Sequence, residues 1–248
     1  MRPDPVDEAR MPLLDHLREL RLRLIRCAWT LLVTFVAGFV VSQQVFDWLA
    51  APMEAALAAT GKGTLAVTEA TEGVFVQMKV AGLVALFASS PVLFWQSWQF
   101  VGPGLYEHEK RAVLPLVAAS TVLFTSGAAF AYYVVFRFGF PFFLEMNGEN
   151  VTAVLSINSY LGLVTTLFVA FGLSFQLPVV VWFLARMGLV DHLDLIRGFR
   201  YGVVGIFVVA AVLTPGPDLL SQLLMAAPLL LLYGIGIVVA RFATTKKR

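Results

Sequence analysis

The chain has 248 residues, of which 59% are hydrophobic and only 14% charged, with a formal net charge of +2. A soluble domain carries about 25% charged residues, so this composition excludes an ordinary soluble protein, and the small net charge gives no signal for nucleic-acid binding. A mean hydropathy of +0.81 indicates a polytopic membrane protein, with room for about six helices, short connectors and no large soluble domain.

The opening residues, "MRPDPVDEAR", are polar and lack the apolar core and cleavage site of a signal peptide, so no cleaved targeting segment is expected. Residues 11–26, "MPLLDHLRELRLRLIR", set Leu13, Leu17, Leu20 and Leu24 on an apolar stripe, with Asp15, Glu19 and Arg23 at four-residue steps on a polar face. The spacing predicts an amphipathic helix on the membrane surface that runs into the first span. The plainest role for Glu19 is an ion pair with Arg23, stabilising by ~0.3–0.5 kcal/mol.

Spans are predicted at about 22–44, 74–100, 112–136 and 159–185, each with at least 20 residues, enough for a ~30 Å core at ~1.5 Å per residue. The first contains Cys27, the one cysteine, which can form neither an internal disulfide nor a cysteine-based metal site. Pro91 and Pro178 are expected to kink the second and fourth spans. A more polar stretch with Pro52, Gly61 and Gly63 separates the first two spans, and another, "LEMNGENVTAVLSINS", precedes the fourth. Gln176 is the main polar residue of the fourth span, suited to an interhelical hydrogen bond of ~0.6 kcal/mol.

Between the second and third spans lies "VGPGLYEHEKR", residues 101–111, which gathers Gly102, Pro103 and Gly104 ahead of Glu107 and Glu109. Carboxylates before a helix are favoured by its macrodipole by ~0.3–1 kcal/mol. They could instead receive a cationic ligand, and a guanidinium fits a carboxylate with two parallel bonds.

The last two spans, at about 201–215 and 222–240, form a hairpin turned by "TPGPD". Both are expected to be short, which implies local membrane thinning or a packing partner. Thr214 could simply cap the turn before Pro215. Of the 18 Lys and Arg residues, 15 fall on one set of connectors, and only Lys62, Lys79 and Arg137 fall on the other. The bias places both termini in the cytoplasm. Trp48, Trp95, Trp98, Tyr106, Tyr132, Tyr133 and Phe136 lie near span ends and are expected to be interfacial anchors.

Chemistry in the membrane is not expected. His16, His108 and His192 are scattered, and no zinc-protease, serine-hydrolase or phosphate-binding motif is present. The expectations are therefore no enzyme, no metal and no cofactor. A small-molecule secondary transporter is the alternative reading; it would call for midplane charges or broken helices in repeat-related pairs, and no internal repeat is visible.

Five stretches recur together in one known family: "HLRELRLRLIR" (16–26), "SSPVLFWQSWQFVGPGLYEHEKR" (89–111), "FGLSFQLPV" (171–179), "LTPGPDLLSQ" (213–222) and "LLYGIGIVVARF" (231–242). In this order and spacing the chain resembles TatC, the polytopic core of the twin-arginine protein translocase. The resemblance implies an all-α membrane protein of six transmembrane helices in a cupped bundle, one integral membrane domain over 1–248. It implies a bacterial cytoplasmic (inner) membrane location and export of folded proteins on the proton-motive force. It also implies recognition of Arg-Arg signal peptides by two glutamates, which fall on Glu19 and Glu109, with Arg21 as an organiser and Glu107 beside them. By the same resemblance Thr214 and Gln222 face single-span partner subunits of the TatA/TatB type, Gln176 faces the concave cavity, and copies self-associate among membrane lipids. The chain departs from the family at Gly234, where Glu is common, so no role is carried to that position.

Overall fold

The structure, a computed structural model, describes residues 13–61, 63–101, 113–146, 153–213 and 219–243. The first helix, α1 (Leu13–Val40), is one uninterrupted rod of 28 residues. It contains no proline, and its single glycine, Gly38, is two residues from its end, so nothing breaks the hydrogen-bond ladder between the amphipathic segment and the span. At Gly38 α1 packs tightly on the second span: a Cβ there would sit 2.9 Å from the main-chain oxygen of Ala81.

The chain turns at Val41 and forms α2 (Ser42–Thr60), a helix where a polar connector was expected. Leu49, Ala50, Met53, Ala56 and Leu57 recur at helical spacing and are buried against the core. Pro52 lies inside this helix. A proline cannot donate to the carbonyl four residues back, which here belongs to Trp48. That oxygen accepts instead from the Tyr132 hydroxyl at 2.8 Å. The same device recurs in α3 (Glu72–Val101), a continuous helix through Pro91. The orphaned carbonyl of Phe87 accepts from the buried Ser90 hydroxyl at 2.8 Å.

The third span is longer than the sequence suggested. After α4 (Val113–Phe130) a π-helical turn, Ala131–Phe136, leads into α5 (Arg137–Met146). Phe136 is consequently not an interfacial anchor. It is 1% exposed and stacks between Phe140 and Phe168, with ring centroids at 4.8 and 5.5 Å. The fourth span consists of α6 (Ile157–Ser174) and α7 (Leu177–Arg186), broken at Phe175 and Gln176. Pro178 occupies the first turn of α7, where its missing N–H costs nothing.

A short helix α8 (His192–Arg197), opened by a capping box of Asp191 and Asp194, leads into α9 (Phe199–Leu213). At 15 residues α9 is short, as expected. The sixth helix is not: α10 (Leu219–Ala243) has 25 residues and runs beyond both expected ends. Two four-residue strands, β1 (Gly63–Ala66) and β2 (Ala153–Ser156), pair in parallel with Gly63 opposite Ala153 and Ala66 opposite Ser156. They tie together the connectors at one end of the bundle, the end opposite the start of α1.

Among the described residues five helices are long and apolar enough to cross a membrane, and Phe199–Val212 is a shorter apolar one. The bundle is held where small residues let backbones touch. A Cβ at Gly127 of α4 would meet the Phe171 main-chain oxygen of α6 at 2.5 Å, and one at Gly172 would meet the Phe124 ring at 2.7 Å. Phe171 at this seam, and Val164, Leu161 and Phe140 further along the same two spans, are almost wholly buried.

Candidate functional site

The end of the bundle where α1 begins carries a compact charged cluster. Glu19 and Arg23 share a face of α1 because four residues make about one turn. The Arg23 guanidinium donates to Glu19 Oε1 from Nε at 3.0 Å and from Nη2 at 2.5 Å. It also reaches the last turns of α3: Nη1 donates to the side-chain oxygens of Gln99 at 2.9 Å and Gln96 at 3.3 Å, and Nη2 to the Gln99 main-chain oxygen at 3.4 Å. The Glu19 side chain is 38% exposed and that of Arg23 only 15%. The carboxylate is thus half in water while the guanidinium is packed between the helices.

Sequence reasoning identified Glu19 and the pair it makes but missed Gln96 and Gln99. Two amides three residues apart at the end of an otherwise apolar helix were the available signal. Arg21 is exposed and is turned away from this cluster; it borders an apolar groove with Leu17, Leu20 and Leu24. Glu107, Glu109 and Thr214 lie outside the described residues. The end of α3 that receives Arg23 leads directly into the segment containing Glu107 and Glu109.

Gln176 sits at the break between α6 and α7. Its Nε2 donates to the Ser120 main-chain oxygen of α4 at 3.0 Å, and the buried Ser120 hydroxyl accepts from Trp98 Nε1 at 2.9 Å. The amide therefore ties the break between α6 and α7 to α4, and Ser120 in turn ties α4 to α3. An apolar cavity of about 350 Å³ adjoins them, lined by Leu116, Ala119, Leu123, Pro178, Val179 and Trp182 but not by Gln176. Gln222 of α10 donates from Nε2 to the Phe207 main-chain oxygen of α9 at 2.9 Å, which fixes the final hairpin. Gly234 is half-buried, and a Cβ there would meet nothing within 4 Å, so the position has room for a side chain.

The opposite end holds a carboxylate that sequence reasoning overlooked. Glu72, 3% exposed, starts α3. Its Oε2 accepts from the Thr68 N–H at 2.5 Å, the Thr68 hydroxyl at 3.0 Å and the Glu69 N–H at 3.2 Å; its Oε1 accepts from the Ser156 hydroxyl at 2.5 Å and the Asn158 N–H at 2.6 Å. A carboxylate with five donors is a structural clamp, joining the connector after β1 to the start of α6. Two turns further on, Lys79 Nζ donates to Asn158 Oδ1 at 2.5 Å and to its main-chain oxygen at 3.2 Å. Among the described residues no group of three or more His, Cys, Asp or Glu side chains could hold a metal ion.

The profile of the family described as Sec-independent protein translocase protein (TatC) matches residues 15–228 of this chain. A TatC protein of Desulforapulum autotrophicum is 41% identical over 242 residues, which cover 97% of this chain and 88% of that one. The Haemophilus influenzae protein of the same name is 41% identical over 97% of this chain and 93% of its own. That of Campylobacter jejuni is 42% identical over 91% and 92%. The fold is similar to a crystal structure described as the twin arginine translocase receptor TatC, with a TM-score of 0.78 and 38% identity over 93% of this chain and 100% of that one. A second such structure, determined in DDM, gives a TM-score of 0.81 and 37% identity over 91% and 99%.

Proposed function

The chain belongs to the TatC family of Sec-independent protein translocase proteins, multi-pass membrane components of a protein translocase, and from that premise we propose how its residues serve that role. Glu19 and Glu109 receive the paired arginines of a substrate's signal peptide, with Glu107 beside them and Arg21 at the rim. The site faces the cytoplasm of a bacterial inner membrane, both termini lie on that side, and the chain forms one integral membrane domain. Gln222 and Thr214, at the hairpin of α9 and α10, meet single-span partner subunits of the TatA/TatB type, while Gln176 lines the concave side. Copies associate in the receptor complex, and folded cargo is exported on the proton-motive force.

The observation that supports this reading most is the placement of Glu19. Its carboxylate is half in water, held by Arg23, beside the end of α3 that runs into the segment bearing Glu107 and Glu109. Two carboxylates of one receptor suit two adjacent guanidinium groups, which bind carboxylates through directional, charge-assisted bonds. An exposed ion pair alone is worth only ~0–1 kcal/mol, so two sites acting together are needed for useful affinity. The test is photocrosslinking of a twin-arginine signal peptide to the full chain in membranes. Glu19→Gln and Glu109→Gln should each abolish the crosslink while membrane insertion stays normal; retained crosslinking in both variants would refute the assignment.

A further inference from the structure

A guanidinium has five N–H donors, and each of those on Arg23 has an acceptor. Nε and one donor of Nη2 go to Glu19 Oε1, the other donor of Nη2 goes to the Gln99 main-chain oxygen, and the two donors of Nη1 go to the side-chain oxygens of Gln96 and Gln99. The Arg23 side chain is 15% exposed. Three acceptors on the end of α3 and one on α1 thus form a cage of guanidinium shape, occupied by an arginine of the chain itself.

Two consequences follow for Glu19. Both bonds from Arg23 fall on Oε1, so an incoming cation meets a carboxylate offering Oε2 in a fixed orientation. The charge of Glu19 is already compensated at 2.5 Å by Arg23. A generic cation such as an ammonium group then gains little net attraction, because what the carboxylate offers the guanidinium beside it opposes. What remains to favour a ligand is direction and shape, which a planar guanidinium satisfies better than a point-like ammonium. Specificity often arises in this way, from a repulsive element set against the wrong partner.

We infer that Arg23, locked by Gln96 and Gln99, is a positioning residue that sets the preference of this receptor for arginine over lysine in the signal. The inference rests on the proposed role of Glu19. Without Arg23 the Glu19 carboxylate carries a full uncompensated charge that attracts either cation.

The test compares synthetic signal peptides bearing Arg-Arg or Lys-Lys in photocrosslinking competition on the full chain, in membrane vesicles that retain its partner subunits. Arg23→Gln should lower the Arg-Arg over Lys-Lys preference at least tenfold, which is about 1.4 kcal/mol, mainly by raising Lys-Lys binding. Gln99→Leu keeps every charge and loosens the cage, so it should lower the preference less; it also carries the test if Arg23→Gln fails to insert. A wild-type preference in both variants overturns the inference, as does an equal loss of both peptides, which would make Arg23 merely structural. Glu19→Gln separates the two levels. If that variant binds Arg-Arg normally, the receptor reading itself has failed; if it loses binding while the other variants keep their preference, only the role of Arg23 is lost.

Discussion

The hydroxyl of Tyr132 donates to the main-chain oxygen of Trp48 at 2.8 Å, and that oxygen is the one Pro52 leaves without a helical partner. The two rings also stack, with centroids 4.0 Å apart. A side chain on the third span thereby repairs a helix between the first and second. A proline that would otherwise mark a connector is accommodated within α2.

This repair predicts a specific non-additivity. Tyr132→Phe should lower stability by about 1 kcal/mol, the usual worth of a lost hydrogen bond. In a Pro52→Ala background, where residue 52 can donate to Trp48, the same change should cost markedly less. Thermal unfolding of the four purified proteins in one detergent measures the coupling. Equal costs in both backgrounds would show that the hydroxyl has no repair role.

The seam between α4 and α6 predicts an order of severity. Gly127→Ala places its Cβ 2.5 Å from a main-chain oxygen, whereas Gly172→Ala meets a phenyl ring at 2.7 Å. A ring can tilt, but a backbone can move only with its helix. Gly127→Ala should therefore cost about 1–3 kcal/mol, as overpacked cores do, and Gly172→Ala less. The comparison is again one of melting temperatures.

Glu72 accepts only from donors, so Glu72→Gln turns an amide NH2 toward N–H or O–H groups that need an acceptor. This near-isosteric change should destabilise the chain more than Gly127→Ala does. Ser156→Ala, which removes one of the five donors, should be far milder. Protease sensitivity of the connectors around Thr68 and Asn158, assayed from the side they face, reads the effect locally.

Gln222 closes the last hairpin through the Phe207 carbonyl. Gln222→Leu should cost the fold only ~0.6 kcal/mol, the average for polar contacts between membrane helices. If the hairpin meets partner subunits as proposed, the same variant should lose most of its crosslinking to them. Unchanged crosslinking, with the small stability loss observed, would confine Gln222 to a packing role.

The long spans were legible because about twenty apolar residues have few other uses. The break at Gln176 was legible from Pro178. Other elements were hidden for physical reasons. In α2 the repeat of Leu49, Met53, Ala56 and Leu57 is present, but Pro52 and the glycines at 61 and 63 read more strongly as punctuation. Strands of four residues carry too little pattern to stand out, and β1 and β2 exist only because the chain brings them together. Phe136 was misplaced because the hydropathy ends there while the helix does not: the π-helical turn carries it on to Met146. At the candidate site, Glu19 and its pairing with Arg23 followed from helical spacing. Gln96 and Gln99 did not, because their significance depends on a guanidinium delivered from 73 and 76 positions away along the chain.

The contact between Gly127 and Phe171 bears on where cargo could pass. Two helices whose main chains already touch leave no gap to widen, and prising them apart would expose the buried Phe124 and Phe171 between them. A folded passenger tens of ångströms across therefore has no route down the middle of a single copy along that line. An opening of such a size has to be bounded elsewhere than at this seam, which would then form an unbroken part of its wall.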